Sequence, residues 1–189
     1  MRRLGLPLSS NVRQIPMSAT NEVFEKVEAL ISEMDGQSDR AAAIVGAAWV
    51  EEELEAAIRS FLIDDKESVK RLLGKSSPLS SFSAKIDLAC VLGMCSRVIA
   101  KDLHTIREIR NDFAHNILAK DNAKLSFNSG HIRDKCMTLK CVAHEDPATP
   151  RVAFVRACAI LNSDFYIHRF MGQKVSDGGQ VFAKVEAQA

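Results

Sequence analysis

DRAAAIVGAAWVEEELEAAIRSFLI, residues 39–63, decides the fold. Wound at about 3.6 residues per turn, its first half is apolar nearly all round, because Val45 and Trp49 fall opposite Ile44 and Ala48. A helix of that kind is either central to its own domain or covered by a second subunit. Ser38 or Asp39 suits its cap, and Ile44, Ala47, Ala48, Leu54, Ile58 and Leu62 define an inward stripe. Glu51 falls inside that stripe rather than beside it, which calls for a cationic partner.

The flanking segments are helical as well. Upstream, EVFEKVEALISEM puts Val23, Val27, Leu30, Ile31 and Met34 on one side, with Thr20 or Asn21 as cap and Gly36 as stop. Downstream, DDKESVKRLL runs from an acidic cap to Gly74, and the loop GKSSPLSS leads to a helix from about Ser81 carrying Phe82, Ile86, Ala89, Cys90 and Gly93. A fifth helix spans about Arg97 to Asn116, and HIRDKCMTLKCV is a short sixth. Thr149 and Pro150 fit the cap and first position of a last helix ending near Met171. No stretch alternates β-branched residues between turn dipeptides. The sequence therefore predicts an all-α fold, a single-domain multi-helix bundle over residues 20–171. Residues 1–19 form a flexible N-terminal arm, and 172–189 a flexible tail.

The 189 residues suit one core, and 47% hydrophobic with 26% charged residues is ordinary for a soluble protein. A formal net charge of +1 gives no global field for nucleic acid or anionic membranes. No apolar run is long enough to span a bilayer and no export signal opens the chain, so the expected location is the cytoplasm. Five cysteines without a C-x-x-C pair point to reduced thiols rather than a disulfide framework.

The second anomaly lies in REIRNDFAHN, residues 107–116. Ile99, Leu103, Ile106, Phe113 and Ile117 form the stripe of the fifth helix, and Arg110 fills the gap in it. A guanidinium keeps its charge, so the fold must supply an acid or a cleft open to water. Glu51, the mirror anomaly on the second helix, is the expected partner. Two readings stand: a structural Glu51–Arg110 ion pair that sets register, or a reactive constellation that adds Asn111 and His115. Asn111 and His115 share a flank with His104 and Glu108. Arg110 and His115 point about 140° apart on a straight helix, so they converge only at a frayed end or across a two-fold dimer.

SPLSSFSAKIDLACVLGM (77–94) followed by KDLHTIREIRNDFAH (101–115), with the long helix at 39–65, resembles the mannitol operon repressor family over about residues 38–119. That resemblance implies an all-α transcriptional regulator of sugar-alcohol uptake genes that acts through a protein partner, and a homodimer is expected. No helix pair with a tight glycine turn and a basic second helix is present to read DNA. Arg110-Asn111-x-x-x-His115 also resembles the R-x4-H signature of HEPN domains, a class that includes dimeric, metal-independent ribonucleases. The carry-over implies that Arg110 stabilises a phosphate or positions a 2′-hydroxyl, His115 moves a proton, Asn111 orients either, and RNA is the substrate.

Other signals are weaker. His131, Cys136, Cys141 and His144 are scattered round their helix by spacings of five, so no metal and no cofactor is expected. Cys90 and Cys95 read as small core residues. Phosphate-loop, dinucleotide, serine-hydrolase and zinc-protease motifs are absent. Trp49, Val45, Ala41 and Ala42 form either a self-association surface or a face covered within one subunit.

Overall fold

The computed structural model describes residues 17–62, 65–116, 118, 124–145 and 147–171. In chain order these form α1 (Met17–Asp35), α2 (Asp39–Phe61), α3 (Lys66–Leu73), α4 (Phe82–Val91), α5 (Arg97–His115), α6 (Gly130–Met137) and α7 (Pro150–Met171), with a 3-10 turn at Ala143–Glu145. The fold is all-α. Helix α1 begins before the expected Thr20 cap, so residues 17–19 of the expected arm belong to the helix. The rest of that arm and the 172–189 tail lie outside the described residues.

The helix starts have chemical causes. Ser38 Oγ accepts the Ala41 N–H at 3.3 Å, Asp65 Oδ1 accepts those of Glu67 and Ser68 at 3.1 and 3.2 Å, and Ser81 Oγ accepts that of Ala84 at 3.2 Å. Ser96 and Thr149 do the same for Ile99 and Val152. Each satisfies an N–H that the first helical turn would otherwise leave unpaired.

Helix α2 runs through the middle, with α7 and α1 against one side and α5 and α4 against the other. Its buried apolar residues are Ala42, Ala43, Gly46, Ala47, Val50, Leu54, Ala57 and Ile58, a face that keeps Ala47, Leu54 and Ile58 of the stripe read in the sequence but is rotated away from Ile44 and Ala48. Ile44 is 38% exposed, and Ala48 is exposed too. Close approach explains the difference: small side chains let another helix come near, whereas a reading by hydrophobic size favours the isoleucine. A Cβ at Gly46 would lie 3.0 Å from Met34 Sδ and 3.2 Å from both Cys158 Sγ and Phe154 Cε1. Trp49 is half-buried within the same subunit, and its carbonyl accepts from Asn162 Nδ2 of α7 at 3.1 Å.

Beside this contact, Phe127 stacks between Phe113 of α5 and Phe154 of α7, with ring centroids 5.1 and 5.2 Å away. Asp39 ties the same region together by accepting the Phe127 N–H at 3.0 Å and a bond from Arg151 Nη1. Arg151 Nη2 donates to the carbonyls of Met34 and Gln37 at 2.6 and 2.8 Å, closing the α1–α2 turn. Asp102, only 2% exposed, accepts the Cys141 N–H at 2.7 Å and pins the segment after α6 to α5.

Gly46→Val is expected to destabilise the protein by about 1–3 kcal/mol, because two extra methyl groups and a Cβ must enter a filled contact. Urea unfolding checks this, and an unchanged midpoint would show that α2 and α7 are not packed as described.

Candidate functional site

The core face of α5 consists of Ala100, Leu103, Ile106, Ile109 and Phe113, together with Asp102. Ile109, not Arg110, fills the middle of that face. A step of three from Ile106 is as helical as a step of four, and the buried position goes to the apolar side chain. Arg110 therefore sits on the flank, with its side chain 33% exposed.

That flank faces α2 and α4, where a charged cluster is assembled. Lys85 of α4 is 6% exposed. Its Nζ lies 2.8 Å from Glu51 Oε1 and 2.8 Å from Glu55 Oε2, one turn apart on α2. Arg59 Nε donates to Glu55 Oε1 at 2.9 Å. Arg110 Nη2 lies 3.8 Å from Glu51 Oε2, within Coulombic range but beyond a hydrogen bond. Glu51 thus meets Arg110 loosely and Lys85 tightly. Lys85 was not distinguished in the sequence from any other lysine; the available signal was its place on the apolar face of α4 between Phe82 and Ile86.

Burial alone would lower the Lys85 pKa, but the hydrogen bonds and charges of Glu51 and Glu55 outweigh it and hold the ammonium above its ordinary value. Burial likewise pushes the Glu55 carboxyl up, and the bonds from Lys85 and then Arg59 bring it below its ordinary value.

His115 is the last residue of α5 and is exposed, while Asn111 is half-buried. Neither side chain makes a hydrogen bond to another described residue. The helix end itself is firmly held: the Asn116 N–H donates to the Asp112 carbonyl at 3.0 Å, and Arg40 of α2 donates to the carbonyls of Asn116 and Ala114. On the opposite flank, Lys135 of α6 lies 2.9 Å from Asp112 Oδ2 and 3.2 Å from Glu108 Oε2, and His131 Nε2 lies 3.9 Å from Asp112. His104 of α5 meets Asp87 of α4 at 3.3 Å. The structure brings Glu51 and Arg110 near each other and leaves His115 on a different side of α5.

All five cysteines carry free thiols. Burial pushes Cys136 and Cys141 up to about 12 and Cys95 to about 11, so these sulfurs stay protonated and poorly nucleophilic. Among the described residues, no three His, Cys, Asp or Glu side chains are grouped to hold a metal. No described helix is long and apolar enough to cross a membrane.

The fold matches a chain in the X-ray structure of the MtlR-HPr complex from Escherichia coli, with a TM-score of 0.59 and 19% sequence identity. The match covers 79% of this chain and 99% of that one. At that identity the likeness is one of fold. No protein-family model matches the chain, and no curated protein does.

Lys85→Met is expected to destabilise the protein by about 2 kcal/mol or more, because it leaves two half-buried carboxylates without their shared cation. Arg110→Ala should cost about 1 kcal/mol or less, since its ion pair is loose and a third exposed. A larger loss for Arg110→Ala in urea unfolding would reverse this assignment. The Glu55 contribution is present above the carboxyl's unfolded pKa and is lost as pH falls through the depressed folded value. The Lys85 contribution is present below the ordinary lysine pKa and is lost as pH rises through the elevated one. Lys85→Met should therefore flatten the acid limb of the stability profile, which unfolding midpoints between pH 7 and about pH 3 would reveal.

Proposed function

We propose that this protein is a bacterial transcriptional regulator of the mannitol operon repressor type, working as a homodimer through a protein partner rather than by reading DNA itself. The observation that carries the reading is the shared fold with a chain solved in complex with HPr. The charge balance supports it, since a net charge of +1 gives no broad basic face for phosphate contacts. Apolar side chains suited to a protein contact lie near the end of α5. Ile44 is one turn along α2 from Arg40, which bonds the Asn116 carbonyl, and Leu118 follows Asn116; they are 38% and 50% exposed.

In titration calorimetry with HPr from the same organism, the full chain is expected to bind with a Kd of micromolar order, as befits a regulatory contact. The protein alone should not retard promoter DNA at physiological salt. Retardation without a partner, together with a flat calorimetric trace, would overturn the proposal.

A second reading, a metal-independent ribonuclease of the HEPN type, is favoured by one feature. The Arg110 guanidinium is partly exposed and makes no hydrogen bond to a described residue, leaving it open to a phosphate. In that reading His115 moves the proton and Asn111 orients the substrate. Incubating mixed single-stranded RNA with wild-type protein and His115→Ala, with and without EDTA, separates the two. Intact RNA throughout is expected of the regulator, whereas EDTA-resistant cutting lost in His115→Ala would establish the nuclease.

A further inference from the structure

Two cavities outside the charged cluster adjoin along the seam between α1 and α7, sharing Ile31 and Arg156. Their volumes are about 470 and about 270 Å³. Together they make one trough, floored by Val27 and Ile31 of α1 and by Val152, Val155, Ala159 and Ile160 of α7. Val27, Ile31, Val152 and Ile160 are only half-buried, so a continuous apolar strip stays open to water on this side of the molecule. A strip of that kind marks a contact surface.

The trough is acidic at both ends, with Asp35 at one and Asp164 at the other. Neither carboxylate makes a hydrogen bond or ion pair to another described residue, and the same holds for Glu25 and Glu28 on the exposed side of α1. Burial pushes the Asp164 carboxyl up, and His168 offsets that only in part, so a further cation there would be favourable. The arginines of the trough are already engaged: Arg151 by Asp39 and the carbonyls of Met34 and Gln37, and Arg156 by a partner of its own. An occupant that fits is apolar along its length and cationic at its ends.

Residues 1–16, which lead directly into α1, have that composition. MRRLGLPLSSNVRQIP carries Arg2, Arg3 and Arg13 and no Asp or Glu. Leu4, Leu6 and Leu8 alternate with Gly5 and Pro7, and in an extended chain residues two apart point to the same side. Leu4 to Leu8 then spans about 13 Å, within the roughly 18 Å of α7 between Val152 and Asp164. The connection is long enough, since Met17 to Val27 is about 15 Å of helix and residues 9–16 span about 25 Å when extended. The 172–189 tail fits less well: Lys174 and Lys184 are balanced by Asp177 and Glu186, and Val181, Phe182 and Val185 do not alternate.

We propose that residues Arg2–Leu8 dock in the α1–α7 trough of their own molecule, running antiparallel to α1, with Leu4, Leu6 and Leu8 on its apolar floor. Arg2 and Arg3 then reach Asp35, and Arg13 enters beside Asp164. The docked segment covers the open strip and ties α1 to α7 from outside. It is separate from the Lys85 cluster and from the end of α5, and it holds whether the chain acts as a regulator or a nuclease.

The test is NMR of the full chain with labelled Leu, Val and Ile methyl groups. Nuclear Overhauser contacts from Leu4, Leu6 and Leu8 to Val27, Ile31 and Ile160 are expected, with amide exchange over residues 4–8 slowed at least about tenfold relative to a synthetic peptide of residues 1–16. Leu6→Asp and Ile160→Asp should each abolish both signals, Leu6→Asp serving where Ile160→Asp does not fold. Arg3→Glu should weaken the slowing, and Leu72→Asp, exposed on α3, should leave it unchanged. Mixing labelled with unlabelled chains separates contacts within a molecule from contacts between copies. Contacts found only between copies, contacts from Val181 or Phe182 in place of the leucines, or exchange at the rate of the free peptide would each overturn the proposal.

Discussion

The rest of the structure hangs on the close approach of α2 and α7 at Gly46. With Met34, Phe154 and Cys158 within 3.0–3.2 Å of where a Cβ would stand, no side chain fits there without displacement. That proximity lets Phe127 reach Phe154 on one side and Phe113 on the other, so one aromatic row joins α7, the segment before α6, and α5. Asp39 and Arg151 then fasten the ends of the same helices, and Arg151 bonds both carbonyls that close the α1–α2 turn. A buried helix with small residues on one face accepts such neighbours, and its other flank is left to carry charge.

That other flank divides its work between two kinds of cation. Lys85, a compact point charge at the end of a flexible stem, sits nearly buried and satisfies two carboxylates at once. Arg110 is consequently released from the structural role its place in the sequence suggested. Its guanidinium keeps only the loose approach to Glu51 at 3.8 Å. The cluster thus reads as a lysine-centred support with Arg110 at its edge.

The all-α class, a cap at Ser38 or Asp39, an acidic cap before α3, a helix start near Ser81 and the Thr149 cap were legible because they depend on local spacing and local hydrogen bonds. The anomaly at Glu51 was legible too, since a carboxylate among alanines and leucines demands a cation. Its tightest partner was not, because Lys85 lies on a different helix and nothing local marks a lysine that folds inward. The rotation of the α2 face was missed for a related reason: hydrophobic size points to Ile44, while helix packing selected Ala42, Ala43 and Gly46. Arg110 was placed in the stripe because steps of three and four are equally helical, and only the packed core decides between Ile109 and Arg110.

The end of α5 bears on which chemistry this face can perform. Arg110 and His115 diverge by about 140° on a regular helix, so a single chain can bring them onto one reacting atom only by unwinding its last turn. That turn is closed: the Asn116 N–H completes its bond to Asp112, and Arg40 caps the carbonyls of Ala114 and Asn116 from α2. Unwinding it would break those contacts next to the Asp39–Arg151 junction. Nuclease chemistry therefore requires a second copy whose histidine approaches the first copy's arginine. Docking a protein partner beside Ile44 and Leu118 needs nothing beyond the chain as folded.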